Sequence, residues 1–191
     1  LGPFATDEMV EQLRETLHLN ESIFIQYGIF IEKLFQGDLG ISTYTKRPVL
    51  VDIVSYFPAT FELVLMSGLL MILIGMPLGI LSGKFKNSII DNVARLISLL
   101  GVVTPSFLWA IILMLIFAFW FPILPVSERM NEALDPPTHV TGLLLVDSLL
   151  EGNFKVFGDA FLHLILPGLA IALPAIGNVA RLTRTNLSDV Y

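Results

Sequence analysis

The chain has 191 residues, 54% of them hydrophobic and only 15% charged, where soluble globular chains carry about 25% charged residues. Its net charge of −6 supplies no basic surface for phosphates and excludes nucleic acid as a partner. Cysteine is absent, which removes disulfides, thiolate metal sites and cysteine nucleophiles.

The chain opens at Leu1, and no basic stretch followed by an apolar run marks a signal peptide. Residues 6–19 read as a soluble helix. Thr6 is its cap, Asp7 and Glu8 favour its first turn, and Met9, Val10, Leu13 and Leu17 form one apolar face. Residues 22–35 are more apolar but too short to cross a bilayer, so they are expected at an interface or packed on other helices. Gly37-Asp38-Leu39-Gly40 ends that helix. Pro48 then starts a third short helix with Val49, Leu50, Ile53 and Val54 as its apolar face.

Three uncharged runs follow. Leu63–Gly83 spans 21 residues without Asp, Glu, Lys or Arg, Leu96–Ser127 spans 32 and Ala160–Ala180 spans 21. At about 1.5 Å per residue each can cross the roughly 30 Å hydrocarbon layer. They predict transmembrane helices at about 59–83, 93–119 and 161–183 in an all-α polytopic membrane bundle, with short extracytoplasmic helices beside it. Between the second and third runs, Phe121-Pro122-Ile123-Leu124-Pro125 stops any helix. A polar stretch leads from there to a short amphipathic piece at 143–150.

Charge sets the expected sidedness. Lys84, Lys86, Arg95, Arg181 and Arg184 flank the same ends of the three spans and mark the cytoplasmic side. Residues 1–57 carry eight acids and four bases, and 120–160 carry six acids and two bases; both are expected outside. The reading is therefore an extracytoplasmic segment, 1–57, and a transmembrane region, 58–191, with an outer loop at 120–160 and a cytoplasmic C-terminus. An outer N-terminal segment requires a span or a cleaved leader before Leu1, and a missing span is expected.

Catalytic signatures are missing. His18, His139 and His163 have no metal-ligand spacing, and neither G-x-S-x-G nor a phosphate-binding G-x-x-x-x-G-K-[ST] loop occurs. The sequence predicts no enzyme, cofactor or metal site. Three polar features stand in the spans. Glu62, at the outer start of the first, is a functional ionisable group or one that reaches the headgroups. Thr104-Pro105-Ser106 kinks the second: Pro105 frees a carbonyl one turn earlier, which Thr or Ser hydroxyls can satisfy. Such a kink lines a cavity or serves packing alone. His163, at the start of the third, is an interfacial or packing histidine or a ligand. Gly75/Gly79 and Gly168/Ala172 have the four-residue spacing of close helix contacts, and Pro77, Pro167 and Pro174 imply bent helices.

Ordered segments along nearly the whole chain resemble one family. They include Gln12-Leu13-Arg14, Gly37-Asp38-Leu39-Gly40-Ile41-Ser42, Arg47-Pro48-Val49, Pro58-Ala59-Thr60-x-Glu62-Leu63 and Gly101-Val102-Val103-Thr104-Pro105-Ser106-Phe107. Leu124-Pro125, Thr141-Gly142-Leu143, His163-Leu164-Ile165-Leu166-Pro167 and Arg181-Leu182-Thr183-Arg184 complete the set. The chain resembles the permease subunits of dipeptide/oligopeptide/nickel ABC importers, the dipeptide type most closely over 140–167. The resemblance implies a six-span permease of the cell inner membrane, of which this chain holds spans two to four. It implies as partners a second permease subunit, ATP-binding subunits, an extracytoplasmic substrate-binding protein and membrane lipid. Glu62, Thr104, Pro105, Ser106 and His163 become candidates for the translocation path or gate. Arg181 and Arg184 would stand just before the segment that couples to the ATPase. Peptides lead as substrate, with nickel chelates and oligosaccharides open. A channel or receptor fragment and an intramembrane enzyme are the competing classes.

Overall fold

The computed structural model describes residues 6–16 and 18–190; Leu17 and the side chains of Val10 and Leu13, assigned above to an apolar face, lie outside the described residues. Every regular element described is helical, and the one extended pairing is an isolated bridge between Ile41 and Pro48. The chain divides into two compact units, Leu1–Ser55 and Tyr56–Tyr191.

In the first unit, α1 spans Asp7–Thr16 and α2 spans Ile23–Phe35. The Met9 amide donates to the Thr6 hydroxyl at 3.4 Å, the capping contact expected of Thr6. After α2 the chain reverses through Gly37, at φ +80°, while the Asp38 amide donates to the Lys33 carbonyl at 2.9 Å. That is how glycine closes a helix C-terminus. The Asp38 carboxylate then receives the Gly40 amide at 2.8 Å, and Asp52 is held by the Thr45 hydroxyl and by Arg47 at 2.9 Å.

The expected third short helix does not exist as a separate element. Val49–Leu70 is one helix, α3, with Pro58 inside it. It continues through a π-helical turn, Met71–Gly75, into α4, Met76–Lys84. The whole run is 36 residues, about 54 Å, against the 25 expected. Hydropathy marks the part of a helix that sits in lipid. It carries no signal where a helix extends beyond its apolar run, as this one does around Asp52. The π turn stands just before Pro77, the residue that cannot donate a backbone hydrogen bond.

The expected second span, 93–119, is not a kinked helix. α5, Ile89–Val103, and α6, Ser106–Met114 with a π-helical extension to Trp120, meet at 113°. Thr104 and Pro105 are both extended, at ψ 124° and 145°. Proline disfavours helical backbone in the residue before it and lacks the N–H that would continue the ladder. A short helix α7, Leu144–Leu150, follows the loop, and α8 runs 37 residues, Phe154–Val190, with Pro167 and Pro174 inside. It begins seven residues earlier than the expected 161 for the same reason that α3 does.

α8 is the centre of the second unit and packs against α4, α5, α6 and α7. Its contacts with α3 and α4 advance in step: Gly168 meets Met66, Gly75 meets Val179, Gly79 meets Thr183 and Gly83 meets Leu187. The two helices are therefore parallel. Contacts with α5 and α6 run the other way. Arg184 meets Asp91, Gly177 meets Ser98, Leu173 meets Gly101, and Leu166 and Ala170 cluster with Leu113. From Arg184 to Leu166 is about 27 Å of helix. Two helices, Val49–Lys84 and Phe154–Leu187, are long and apolar enough to cross a membrane, and the bent α5–α6 pair adds a third crossing if it is one span.

The α5–α8 seam depends on bare backbone. A Cβ on Gly177 would stand 2.5 Å from the Ser98 carbonyl oxygen, and one on Gly101 would stand 2.7 Å from that of Leu173. Neither obstacle is a side chain that can rotate away. Gly177→Ala in the full-length protein is expected to destabilise by ~1–3 kcal/mol through overpacking, read as a lower thermal midpoint in detergent. Gly158, with no atom within 4 Å of an added Cβ, is the control. Gly158→Ala should be neutral or raise the midpoint, because alanine favours helix.

Candidate functional site

Two polar clusters close the two ends of the bundle, with the helix break between them. The first lies at the end that carries the loop between α6 and α8. Glu62, three turns into α3, is 6% exposed. Its carboxylate accepts from Arg129 Nη2 at 2.5 Å and from the Leu145 amide at 2.7 Å. One acidic group inside an apolar helix thereby fixes the loop and the start of α7. A carboxylate held this way at low dielectric is costly to leave without its partners. Arg129 uses the same nitrogen to reach the Gly142 carbonyl at 3.3 Å.

Gly142 is fixed in turn by Asp147. That carboxylate is 3% exposed and receives the amides of Thr141 (2.8 Å), Gly142 (2.9 Å) and Val140 (3.3 Å) and the Thr141 hydroxyl (2.7 Å). Burial alone would raise its pKa. The Thr141 hydroxyl and the three amides outweigh burial and hold the group below the usual carboxylate range. Gly142 itself has φ +79°, and a Cβ there would stand 3.0 Å from Pro58 Cγ. The turn therefore needs glycine for both conformation and space.

His163 lies in the third turn of α8, not at a helix start. Its Nδ1 is 2.8 Å from the Asp159 carbonyl and 3.5 Å from the Asp159 carboxylate. The same carboxylate receives the Asn131 amide at 2.6 Å. Glu128, Arg129 and His163 share a cavity of about 260 Å³ with Thr60 and Pro167. A neighbouring cavity of about 600 Å³ adds Asp159 and Glu132 to Glu128 and His163. Glu62 and His163, unpartnered in the sequence, thus belong to one end of the bundle and are joined through Arg129 and its loop.

Thr104, Pro105 and Ser106 form the break between α5 and α6, away from that cluster. The Thr104 amide still closes α5 on the Leu100 carbonyl at 3.0 Å, and the Leu108 amide opens α6 on the Pro105 carbonyl at 3.0 Å. The expected repair by hydroxyls is not found: among the described residues neither the Thr104 nor the Ser106 hydroxyl makes a hydrogen bond.

The second cluster lies at the other end, where Asp91 is fully buried. Its carboxylate receives Arg184 Nε at 2.6 Å and Nη2 at 3.0 Å, the Ser82 hydroxyl at 2.6 Å and the Asn87 amide at 3.0 Å. Arg95 adds a contact at 3.4 Å. The two-pronged Arg–carboxylate geometry is the strong form of this pair, and it ties α4, α5 and α8 at one point. Arg181 turns to the Asn178 side chain at 2.9 Å. Sequence reading weighed Arg184 but passed over Asp91, Arg129 and Asp147. A signal was present for two of them: Asp91 is the one acid in a basic link, and Arg129 one of two bases in an acidic loop. Asp147 had none, because its partners are backbone amides.

Comparison with known proteins gives concordant matches. The family model for the binding-protein-dependent transport system inner membrane component matches residues 75–190. The probable D,D-dipeptide transport system permease protein DdpB of Escherichia coli K12 is 44% identical over 98% of the chain and 55% of that protein. The dipeptide transport system permease protein DppB of Alkalihalophilus pseudofirmus is 36% identical over 100% of the chain and 57% of that protein. The di/tripeptide permease DppB of Pseudomonas aeruginosa is 33% identical over 92% and 53%. The chain spans about half the length of the curated relatives it matches.

Asp147→Asn tests the loop anchor. An amide NH2 would face donors that now meet a carboxylate oxygen, and the full-length protein should lose ~2 kcal/mol of stability. Because the folded pKa is depressed, the wild-type contribution is present above the unfolded value of about 3.9 and is lost as pH falls through the folded value. Thermal midpoints between about pH 3 and 7 should show this acid limb in the wild type and a smaller one in the variant.

Proposed function

Because the chain belongs to the family of binding-protein-dependent transport system inner membrane components, we propose that it forms the pore-lining permease part of an ABC importer for di- or oligopeptides. ATP hydrolysed by partner subunits drives the passage, and this chain performs no covalent chemistry. The observation that carries the reading is the match of nearly the whole chain to dipeptide permeases, at 44% identity to one of them.

In this reading the end with Lys84, Lys86, Arg95, Arg181 and Arg184 faces the cytoplasm, as basic residues do. The end with the 120–160 loop and the 1–57 segment face outward, where an extracytoplasmic binding protein delivers substrate. A second permease subunit completes the pore. Glu62 and His163 act at the outer gate, and three features support that role. Glu62 holds the loop through Arg129, Arg129 and His163 border one cavity, and a second cavity sets Glu128, Glu132 and Asp159 beside His163. Thr104, Pro105 and Ser106 are the hinge of the broken span. Arg181 and Arg184 stand next to the segment that couples to the ATPase.

Two experiments test this. The full-length protein should co-purify with a second permease and ATP-binding subunits, and a substrate-binding protein should stimulate ATP hydrolysis by the assembly. A protein that purifies alone and is indifferent to both overturns the importer reading. Pro105→Ala should lower uptake of a labelled dipeptide about tenfold, the effect of a ~1.4 kcal/mol bias between two states. Its thermal midpoint should change little. Normal uptake would remove the hinge from the mechanism.

A further inference from the structure

Arg95, Arg181 and Arg184 line one cleft of about 480 Å³ between α4, α5 and α8. Three guanidinium groups meet there with one carboxylate, Asp91, which is fully buried beneath them. Among the described residues no other acid borders the cleft, so its rim is basic. Arg95 is 51% exposed and keeps most of its donors beyond the Asn92 and Asp91 contacts. Arg181 is exposed as well.

The cleft is also amphiphilic along its depth. Arg95, Leu99 and Val102 follow one another at i, i+4 and i+7 on α5, so they share one face. The charge lies at the bundle end, and the two apolar side chains lie one and two turns deeper. The facing wall repeats the order, with Arg184 and Arg181 near the end of α8, then Ala180 and Gly177 deeper. A soluble anion would use the rim and waste the wall. A molecule with a phosphate at one end and a hydrocarbon tail at the other uses both.

We propose that this cleft is a binding site for an anionic phospholipid, its phosphate between Arg95, Arg181 and Arg184 and one acyl chain against Leu99 and Val102. Basic pockets between membrane helices recognise lipid headgroups by this combination of charge and apolar depth. The site is independent of what the protein transports. Its occupant bridges α5 and α8 beside the Asp91–Arg184 pair, so it stabilises the bundle at that end.

The test uses full-length protein, with the subunits that co-purify, delipidated in detergent. Phosphatidylglycerol should raise the thermal midpoint in a saturable way, while phosphatidylcholine and millimolar inorganic phosphate should not. Arg95→Gln with Arg181→Gln, which leaves the Arg184–Asp91 pair in place, should weaken the apparent affinity ~10-fold or more, at roughly fivefold per guanidinium. Arg181→Lys should retain most of it. Native mass spectrometry of the wild type should find phosphatidylglycerol retained over phosphatidylcholine, a reading that stands even where the double variant folds poorly. Equal stabilisation by both lipids, or unchanged affinity in a folded double variant, overturns the site. Saturation by inorganic phosphate alone overturns the lipid and leaves a free-anion site.

Discussion

Close approach of backbone to backbone along α8 is the constraint on which the rest of the second unit depends. Lipid is as apolar as a leucine side chain, so burying leucine does not draw helices together inside a bilayer. Contact area and hydrogen bonds must do so. Gly75, Gly79 and Gly83 give α8 a smooth track on one side, and Gly101 and Gly177 do so on the other. The facing atoms are the carbonyls and short side chains of α8 and α5. Small residues at these points bring the helices near enough for the polar groups at both ends to meet. Without that approach Asp91 on α5 would not reach Arg184 on α8.

The two clusters then solve opposite problems. At one end a carboxylate on α5 draws together the ends of α4 and α8, and one short link, residues 85–88, already joins α4 to α5 there. At the other, a long loop must be given one conformation although it has almost no regular structure. Asp147 does this by gathering consecutive amides, and Glu62 does it by holding an arginine and a helix start at once. Both carboxylates work as acceptors for several donors, the arrangement that makes a buried charge tolerable.

Much of the architecture was legible in the sequence because a bilayer reads composition. Uncharged runs marked the two long apolar helices and the bent pair between them, and the Gly37–Gly40 break and the Thr6 cap were read from local chemistry. Helix ends were not, because hydropathy does not mark a helix that runs past its apolar stretch: the residues from Pro48 to Val54 read as a short helix of their own and 154–160 as part of the outer loop. Pro105 was seen, but its consequence was underestimated: a proline inside an apolar run reads as a kink when only the helix is considered. The break becomes favourable because α8 offers each half its own contacts, at Leu173 and Gly177 for α5 and at Leu166 and Ala170 for α6. Partners distant in sequence, such as Glu62 with Arg129 and Asp91 with Arg184, leave no local pattern. Only the rule that a charge in an apolar setting needs a partner pointed toward them.

Those same sequence separations fix an order of assembly. Ribosomes deliver α3 to α5 first, with Glu62 and Asp91 in place, Arg95 beside Asp91, and Arg129 and Arg184 still unmade. Arg129 arrives 67 residues after Glu62, and Arg184 arrives 93 after Asp91. Until then Glu62 lacks its arginine, and Asp91 has only the Ser82 hydroxyl, the Asn87 amide and Arg95. Arrival of α8 removes the penalty at one end, and the loop before it removes the penalty at the other. The two ion pairs can therefore close only after the later segments are made, Glu62 on the loop that carries Arg129 and Asp91 on the helix that carries Arg184.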